Sequence, residues 1–171
     1  MCWTATSQDL TQAAAIRRSV AAYLKERVQE REALLDAEIV IGELLANAVR
    51  HASGKFCADV EWRDGKRPVL IVHDAGRCFA GYVRPAGAFA ESGRGMEIVR
   101  ALAEEVRIRR VHPQGCIVTA ALRLTLRDDA PYQATPCPRG ERRWDLGCAC
   151  ALEMHGLDPS DANVEPLASA D

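Results

Sequence analysis

The sequence predicts an α/β (α+β) protein built as a two-layer sandwich, with helices on one face of a mixed, mostly antiparallel sheet. Three observations predict it. Two segments between Gln8 and Ala52 carry apolar side chains at helical spacing. Alternating apolar and polar residues then run from Ala58 to Arg63, followed by a hairpin signal and the apolar run Val69 to Val72. A further helical pattern, Met96 to Ala103, precedes a second alternating region that reaches Leu126.

The first helix is expected from about Gln8 to Glu32. Leu10, Ala13, Ala14, Ile16, Val20, Tyr23, Leu24 and Val28 share its apolar stripe, and Ser7 or Asp9 can cap its start. The charged Glu30-Arg31-Glu32 leads to a second helix from about Leu35 to Ala52, with Gly54 suited to a left-handed cap. Ala58, Val60 and Trp62 alternate with Asp59, Glu61 and Arg63, as in a half-buried strand. Asp64-Gly65 is a hairpin turn signal, so the next strand, Val69-Leu70-Ile71-Val72 running into His73-Asp74, must be antiparallel to it. From Ala75 to Gly95 the chain is rich in Gly, Ala and Pro and shows no period, the mark of a functional loop. Val106 to Arg109 alternates again, His112-Pro113-Gln114-Gly115 makes a turn, and Cys116 to Leu126 reads as a long strand. Trp3 and Trp62 read as packing or partner-surface residues.

The 171 residues suffice for one domain, 1–128, and a Pro- and Cys-containing tail, 129–171, expected to be mostly disordered apart from a short helix over Leu146 to Met154. With 48% hydrophobic and 27% charged residues the composition is that of a soluble globular chain. A net charge of -2 supplies no basic field, so direct nucleic-acid binding is not expected. No apolar run approaches the roughly 20 residues that span a bilayer. The start, Met1-Cys2-Trp3-Thr4-Ala5-Thr6, lacks the basic and apolar regions of a signal peptide. The expectation is therefore a cytoplasmic protein without membrane contact, its seven cysteines reduced. Cys137, Cys148, Cys150 and His155 in the tail could complete a zinc site. Their spacing is unlike the paired C-x2-C knuckles, and free thiols or a plain extension are the competing readings.

Three pieces carry chemistry. In the second helix Glu43, Asn47 and His51 stand four apart and form one polar column, beside an apolar arc of Ile41, Leu44, Leu45, Ala48 and Ala52. A carboxylate and a carboxamide one turn apart suit a proton acceptor and a hard cation. Asp74-Ala75-Gly76 ends an apolar strand, where Asp74 can accept from an exocyclic amine and Gly76 lets backbone approach a flat ring. Gly93-Arg94-Gly95-Met96 opens a helix, where exposed N–H groups and the helix dipole favour phosphate. Each piece alone also has an ordinary structural reading: a solvated helix face, a turn, a flexible helix entry. Their order and placement together are far more specific.

In that order the pieces resemble the GHKL (Bergerat-fold) ATPases, which include the histidine kinase-like ATPase domains, and among them the small anti-sigma factor serine/threonine kinases of the RsbW-like branch. The resemblance covers about Gln8 to Leu126: Glu43 to His51 is similar to the N box, Asp74-Ala75-Gly76 to the first glycine box and Gly93-Arg94-Gly95-Met96 to the second. It implies that Asp74 binds the adenine amine and that Asn47 coordinates Mg²⁺ between the phosphates. It implies that Glu43 takes the proton of an attacking hydroxyl, and that Gly93, Gly95 and the Met96 amide hold phosphate oxygens. Arg94 would neutralise a phosphate, His51 would reach a phosphate or the lid, and Arg77 to Ser92 would form that lid. Cys116 stands where the family has a threonine near adenine, and Cys78 where the first glycine box often has a second glycine. The function implied is an ATP-binding, Mg²⁺-dependent kinase. It would phosphorylate an anti-anti-sigma STAS partner and sequester a sigma factor, with a homodimer left open. The rivals are a nucleotide-binding module of weak catalytic power and a nucleotide-free interaction protein. A histidine-kinase catalytic domain is disfavoured, because no helix pair with a phospho-accepting histidine precedes the N box.

Overall fold

The computed structural model describes residues 2–6, 9–63, 65–76, 78, 94–111, 115–130 and 164–166. In chain order the elements are strand β1 (Cys2–Thr6), helices α1 (Leu10–Lys25) and α2 (Ala33–His51), strands β2 (Lys55–Arg63) and β3 (Arg67–Asp74), helix α3 (Gly95–Leu102), and strands β4 (Glu105–Val111), β5 (Cys116–Ala121) and β6 (Val164–Pro166). The sheet order is β1-β2-β3-β5-β4-β6. Every pairing among the described residues is antiparallel. The expected two-layer sandwich is therefore present, with no parallel pair in the described sheet.

Burial explains which way each element faces. On β2 and β3, Phe56, Ala58, Val60, Trp62, Leu70 and Val72 join Cys116, Val118 and Ala120 of β5 under the helices, in one core with Val20 and Leu24 of α1 and Ile41, Leu44, Leu45 and Ala48 of α2. The alternate residues Val69, Ile71, Val111, Ile117 and Ala121 form a smaller cluster on the other face. Both faces of the central strands are thus buried, which is why the expected half-exposed alternation on β2 is replaced by near-continuous burial, Asp59 and Glu61 included.

The helix ends depart from the periodic pattern for identifiable reasons. Asp9 caps α1 by accepting from the Gln12 N–H at 2.9 Å, while Gln12 Oε1 accepts from Thr6 N–H at 3.1 Å. The helix stops at Lys25 rather than Glu32. Val28 there pairs with Leu126 and Gln29 donates to the Thr125 carbonyl, so the segment is bound to the chain after β5. The α2 cap is Ala52 in extended conformation, not Gly54; Gly54 turns the chain into β2 with φ 98°. Strand β5 ends at Ala121, short of Leu126, because Leu122 and Leu126 turn their N–H groups to the Pro68 and Lys66 carbonyls.

Two strands have no counterpart in the sequence pattern. β1 occupies the chain start and pairs residue for residue with β2, from Cys2↔Asp59 to Thr6↔Lys55. β6 lies in the tail and pairs with β4. The short helix expected over Leu146 to Met154 and the Cys137, Cys148, Cys150 and His155 set lie outside the described residues. Trp3 and Trp62 pack as expected, on either side of Tyr23. The Trp3 and Tyr23 rings meet edge-on at 6.0 Å, and Trp62 Nε1–H donates to the Tyr23 hydroxyl at 3.0 Å. No described helix is long and apolar enough to cross a membrane.

Candidate active site

Helix α2 is the axis of the site. It lies on the sheet through Val40, Ile41, Leu44, Leu45 and Ala48, all buried. That contact turns Glu43 and Asn47, both half-buried, away from the core and leaves His51 exposed at the last turn. From Glu43 to His51 the helix advances about 12 Å. One end of the column meets α3 and the other meets the end of β3.

At the first end the contact is a glycine. A Cβ placed on Gly95 would lie 2.5 Å from Glu43 Oε2 and 3.8 Å from Asn47 Nδ2. The start of α3 therefore comes against the carboxylate and the carboxamide at a distance that a side chain would obstruct. α3 holds this position by burying Met96 and Val99, which leaves its first amides at the Glu43–Asn47 edge. The N-terminal end of a helix favours negative charge, so this end is chemically a phosphate seat flanked by a proton acceptor. Arg94, exposed, is the residue before the helix. Gly93 and the lid residues other than Cys78 lie outside the described residues.

At the second end the contact is again a glycine. A Cβ on Gly76 would fall onto the His51 carbonyl oxygen and 2.8 Å from Asp74 Oδ1. Asp74 Oδ1 accepts the Gly76 N–H at 2.7 Å. Asp74 is 8% exposed, and burial pushes its carboxyl from an ordinary 3.8 up to about 6, only partly opposed by the Gly76 hydrogen bond. Oδ1 is thus occupied, and Oδ2 is the oxygen left to accept a ligand amine. The His51 carbonyl lines this end, whereas the expectation for its side chain concerns a phosphate or the lid.

The register supplies the remaining wall. Cys116 of β5 stands opposite Asp74 of β3, on the same face of the sheet. Cys78, two residues beyond Gly76, is bonded to Cys116 in a disulfide, with Cα atoms 4.5 Å apart. In the sequence the two cysteines are separate departures from the family pattern, and reduced thiols are expected of both; the disulfide corrects that expectation. The pairing joins residues 38 apart in the chain: Cys116 stands in register with Asp74, and Cys78 lies four residues beyond Asp74, past the end of β3. Spacing in the sequence does not reveal this pairing.

The residues present fit a nucleotide with its metal. Two glycines hold backbone open where a Cβ would fill the cradle, and Asp74 keeps an acceptor in a dry corner. Among the described residues no three His, Cys, Asp or Glu side chains gather as a cation site. Asn47 beside Glu43 matches the habit of magnesium, which rests on one or two protein oxygens and the substrate phosphates.

A fold with α2 laid on an antiparallel sheet, glycine contacts at both ends of its polar column and a buried aspartate at a strand end is that of an ATP-binding domain of the GHKL type. The family model for the histidine kinase-like ATPase domain matches residues 6–122, and the chain belongs to that family. Membership implies ATP binding, generally with Mg²⁺. No curated protein matches the chain.

Proposed function

We propose that the protein is an ATP-dependent protein serine/threonine kinase of the small anti-sigma type, acting in the cytoplasm on an anti-anti-sigma STAS partner and sequestering a sigma factor. The observation that carries the kinase half is the convergence of Glu43 and Asn47 on Gly95 at the start of α3. Phosphoryl transfer needs position and charge neutralisation more than covalent help. Asp74 anchors the base through its amine, and the α3 amides seat the phosphates. Glu43, on the rigid middle of α2, takes the proton from the incoming serine or threonine hydroxyl. Asn47 would hold Mg²⁺, which supplies charge neutralisation on the phosphates. The partner half rests on the resemblance to the RsbW-like branch in the N box and the two glycine boxes.

The test is transfer of labelled γ-phosphate from ATP to a STAS-type substrate, wild type against Glu43→Ala. A fall of about 100-fold or more with ATP affinity retained is expected for a lost general base. Equal transfer by both proteins removes Glu43 from that role. A second reading, in which the domain binds nucleotide but transfers phosphate weakly as a regulatory module, is favoured by Cys78 and Cys116, which stand where the family pattern has a glycine and a threonine. Nucleotide binding by wild type without transfer to any STAS substrate would select it.

A further inference from the structure

We propose that Leu35 and Ile39 of α2, with Ile98 of α3, form the docking surface for the polypeptide that carries the phosphate-accepting hydroxyl. The proposal rests on the kinase reading of the Glu43–Gly95 contact. The four-residue row of Glu43, Asn47 and His51 continues towards the start of α2 as Ile39 and Leu35. Those two are 42% and 65% exposed, whereas their neighbours Leu34, Ala37, Val40 and Ile41 are buried in the core. Ile98, 38% exposed, lies three residues past Gly95. The rise of a helix puts Ile39 about 6 Å and Leu35 about 12 Å from Glu43 along α2, and Ile98 about 4.5 Å from Gly95 along α3.

A single exposed aliphatic side chain on a protein surface is ordinary. The position of these three is not. Among the described residues the exposed large hydrophobic side chains are these and Leu10, which opens α1. Three of the four thus flank the one contact where a hydroxyl must arrive. That location decides the occupant. An acceptor hydroxyl has to come within hydrogen-bond reach of Glu43 for its proton to be taken. The body that carries it therefore lies over the Glu43–Gly95 edge, and the exposed apolar groups within a turn of that edge are Ile39 and Ile98. A second copy of this chain seated on the same side chains would cover the edge and keep the hydroxyl out. The exposed charges beside these residues along the two helices have both signs, Asp36 and Glu97 against Arg94 and Arg100. Recognition is thus apolar: the partner presents apolar side chains beside its serine or threonine.

The step served is the transfer itself. The acceptor oxygen forms its bond to the γ-phosphorus as its proton passes to Glu43. The bond from that phosphorus to the β–γ bridging oxygen breaks, and ADP leaves with the electron pair. Contacts made away from the reacting atoms hold the hydroxyl in line for this displacement, so Leu35, Ile39 and Ile98 are positioning residues. They touch neither the nucleotide nor the transferred proton, and their loss is felt in the capture of the partner.

The experiment is steady-state transfer of labelled γ-phosphate from ATP to a purified STAS-domain protein, the full chain against Leu35→Ala/Ile39→Ala/Ile98→Ala. All three sites are exposed and alanine suits a helix, so the variant is expected to fold as the wild type does; circular dichroism and Mg-ATP calorimetry check this. The expected result is a rise of about tenfold or more in KM for the STAS-domain protein. The kcat at saturation stays within about twofold and the affinity for Mg-ATP is unchanged. Ile39→Leu, which keeps the apolar surface, is expected to match the wild type. An unchanged KM in the triple variant would overturn the docking surface and leave the kinase reading standing. A fall in kcat with KM unchanged would overturn it as well. A wild-type dimer that the triple variant dissolves, seen by light scattering with KM unchanged, would give the surface to a second copy instead. Absence of transfer from the wild type to any STAS-domain protein would remove the kinase reading, and the docking surface with it.

Discussion

The two ends of the α2 column are built on opposite terms. At the Gly95 end, what stands closest to the glycine is the tip of the Glu43 side chain, a flexible and half-buried carboxylate. At the Gly76 end, what stands closest is backbone, the His51 carbonyl, with the Asp74 carboxyl buried behind it. One end is adjustable and wet; the other is rigid and dry. Transfer chemistry needs a base that can meet an incoming hydroxyl and release a proton. Recognition of a base edge needs an acceptor that water does not satisfy first. Each end thus has the environment that its step requires.

The sharpest test of that contrast is a methyl group at each end. Gly76→Ala puts Cβ against a carbonyl that cannot rotate away, so α2 or the end of β3 must move. The expected cost is about 3 kcal/mol or more, the upper range for overpacking. Chemical denaturation measures it, and a loss under about 1 kcal/mol would mean that the base end is as pliant as the phosphate end.

The next effect in size has the opposite sign. Asp74 titrates near 6 in the folded protein against 3.8 ordinarily, so between those values the native state holds more protons than the unfolded chain. Stability from this group is therefore fullest below about pH 4 and is lost as pH rises to about 6. A shift of about two units is worth at most about 3 kcal/mol. Asp74→Asn removes the buried charge. It is expected to raise stability at pH 7 and above by up to about 3 kcal/mol, to flatten the dependence between pH 4 and 6, and to abolish ATP binding. Stability curves against pH for the two proteins check this; the same slope in both would assign the titration to another group. A function kept at the expense of stability is the usual signature of a binding residue.

What the sequence disclosed divides along the same line. The column Glu43, Asn47, His51 is a local pattern on one helix, and its geometry follows from the four-residue spacing alone. Asp74 at a strand end and Gly95 at a helix start are likewise local. The base end depends on long-range pairing: Asp74 meets Cys116 through strand register, and Gly76 meets His51 through the docking of α2 on the sheet. Neither contact leaves a period or a spacing. The strands β1 and β6 escaped for a related reason. Each is short and takes its partner from a distant segment, so pairing rather than propensity creates them.

A smaller effect is expected at the adjustable end. Gly95→Ala brings Cβ to 2.5 Å from Glu43 Oε2, and a rotation of the carboxylate relieves it. The fold should lose less than about 1 kcal/mol, since the contact that must give is the far end of a flexible, half-buried side chain. Phosphate transfer should nevertheless fall about 100-fold, because a displacement near 1 Å in a reacting group has that consequence. Denaturation and labelled-phosphate transfer on the same preparation separate the two numbers. A stability loss matching that of Gly76→Ala would erase the distinction between the ends.

The smallest effect marks where the cleft stops. Glu105 on β4 accepts from Arg63 Nη1 at 2.9 Å and from Arg107, and these bonds hold its carboxyl below the usual range. A folded-state value below the unfolded one adds stability above the unfolded titration, which is lost as pH falls through the folded one. The pair is more than one-third exposed on both sides, so solvent screening leaves it at most about 1 kcal/mol. Glu105→Gln should therefore cost a fraction of that, with the loss shrinking in high salt, and should leave ATP affinity unchanged. Calorimetry at two salt concentrations reads both quantities. A marked fall in ATP affinity would extend the coupled region from the base end of the cleft to the far side of the sheet, through β5, which pairs with both β3 and β4.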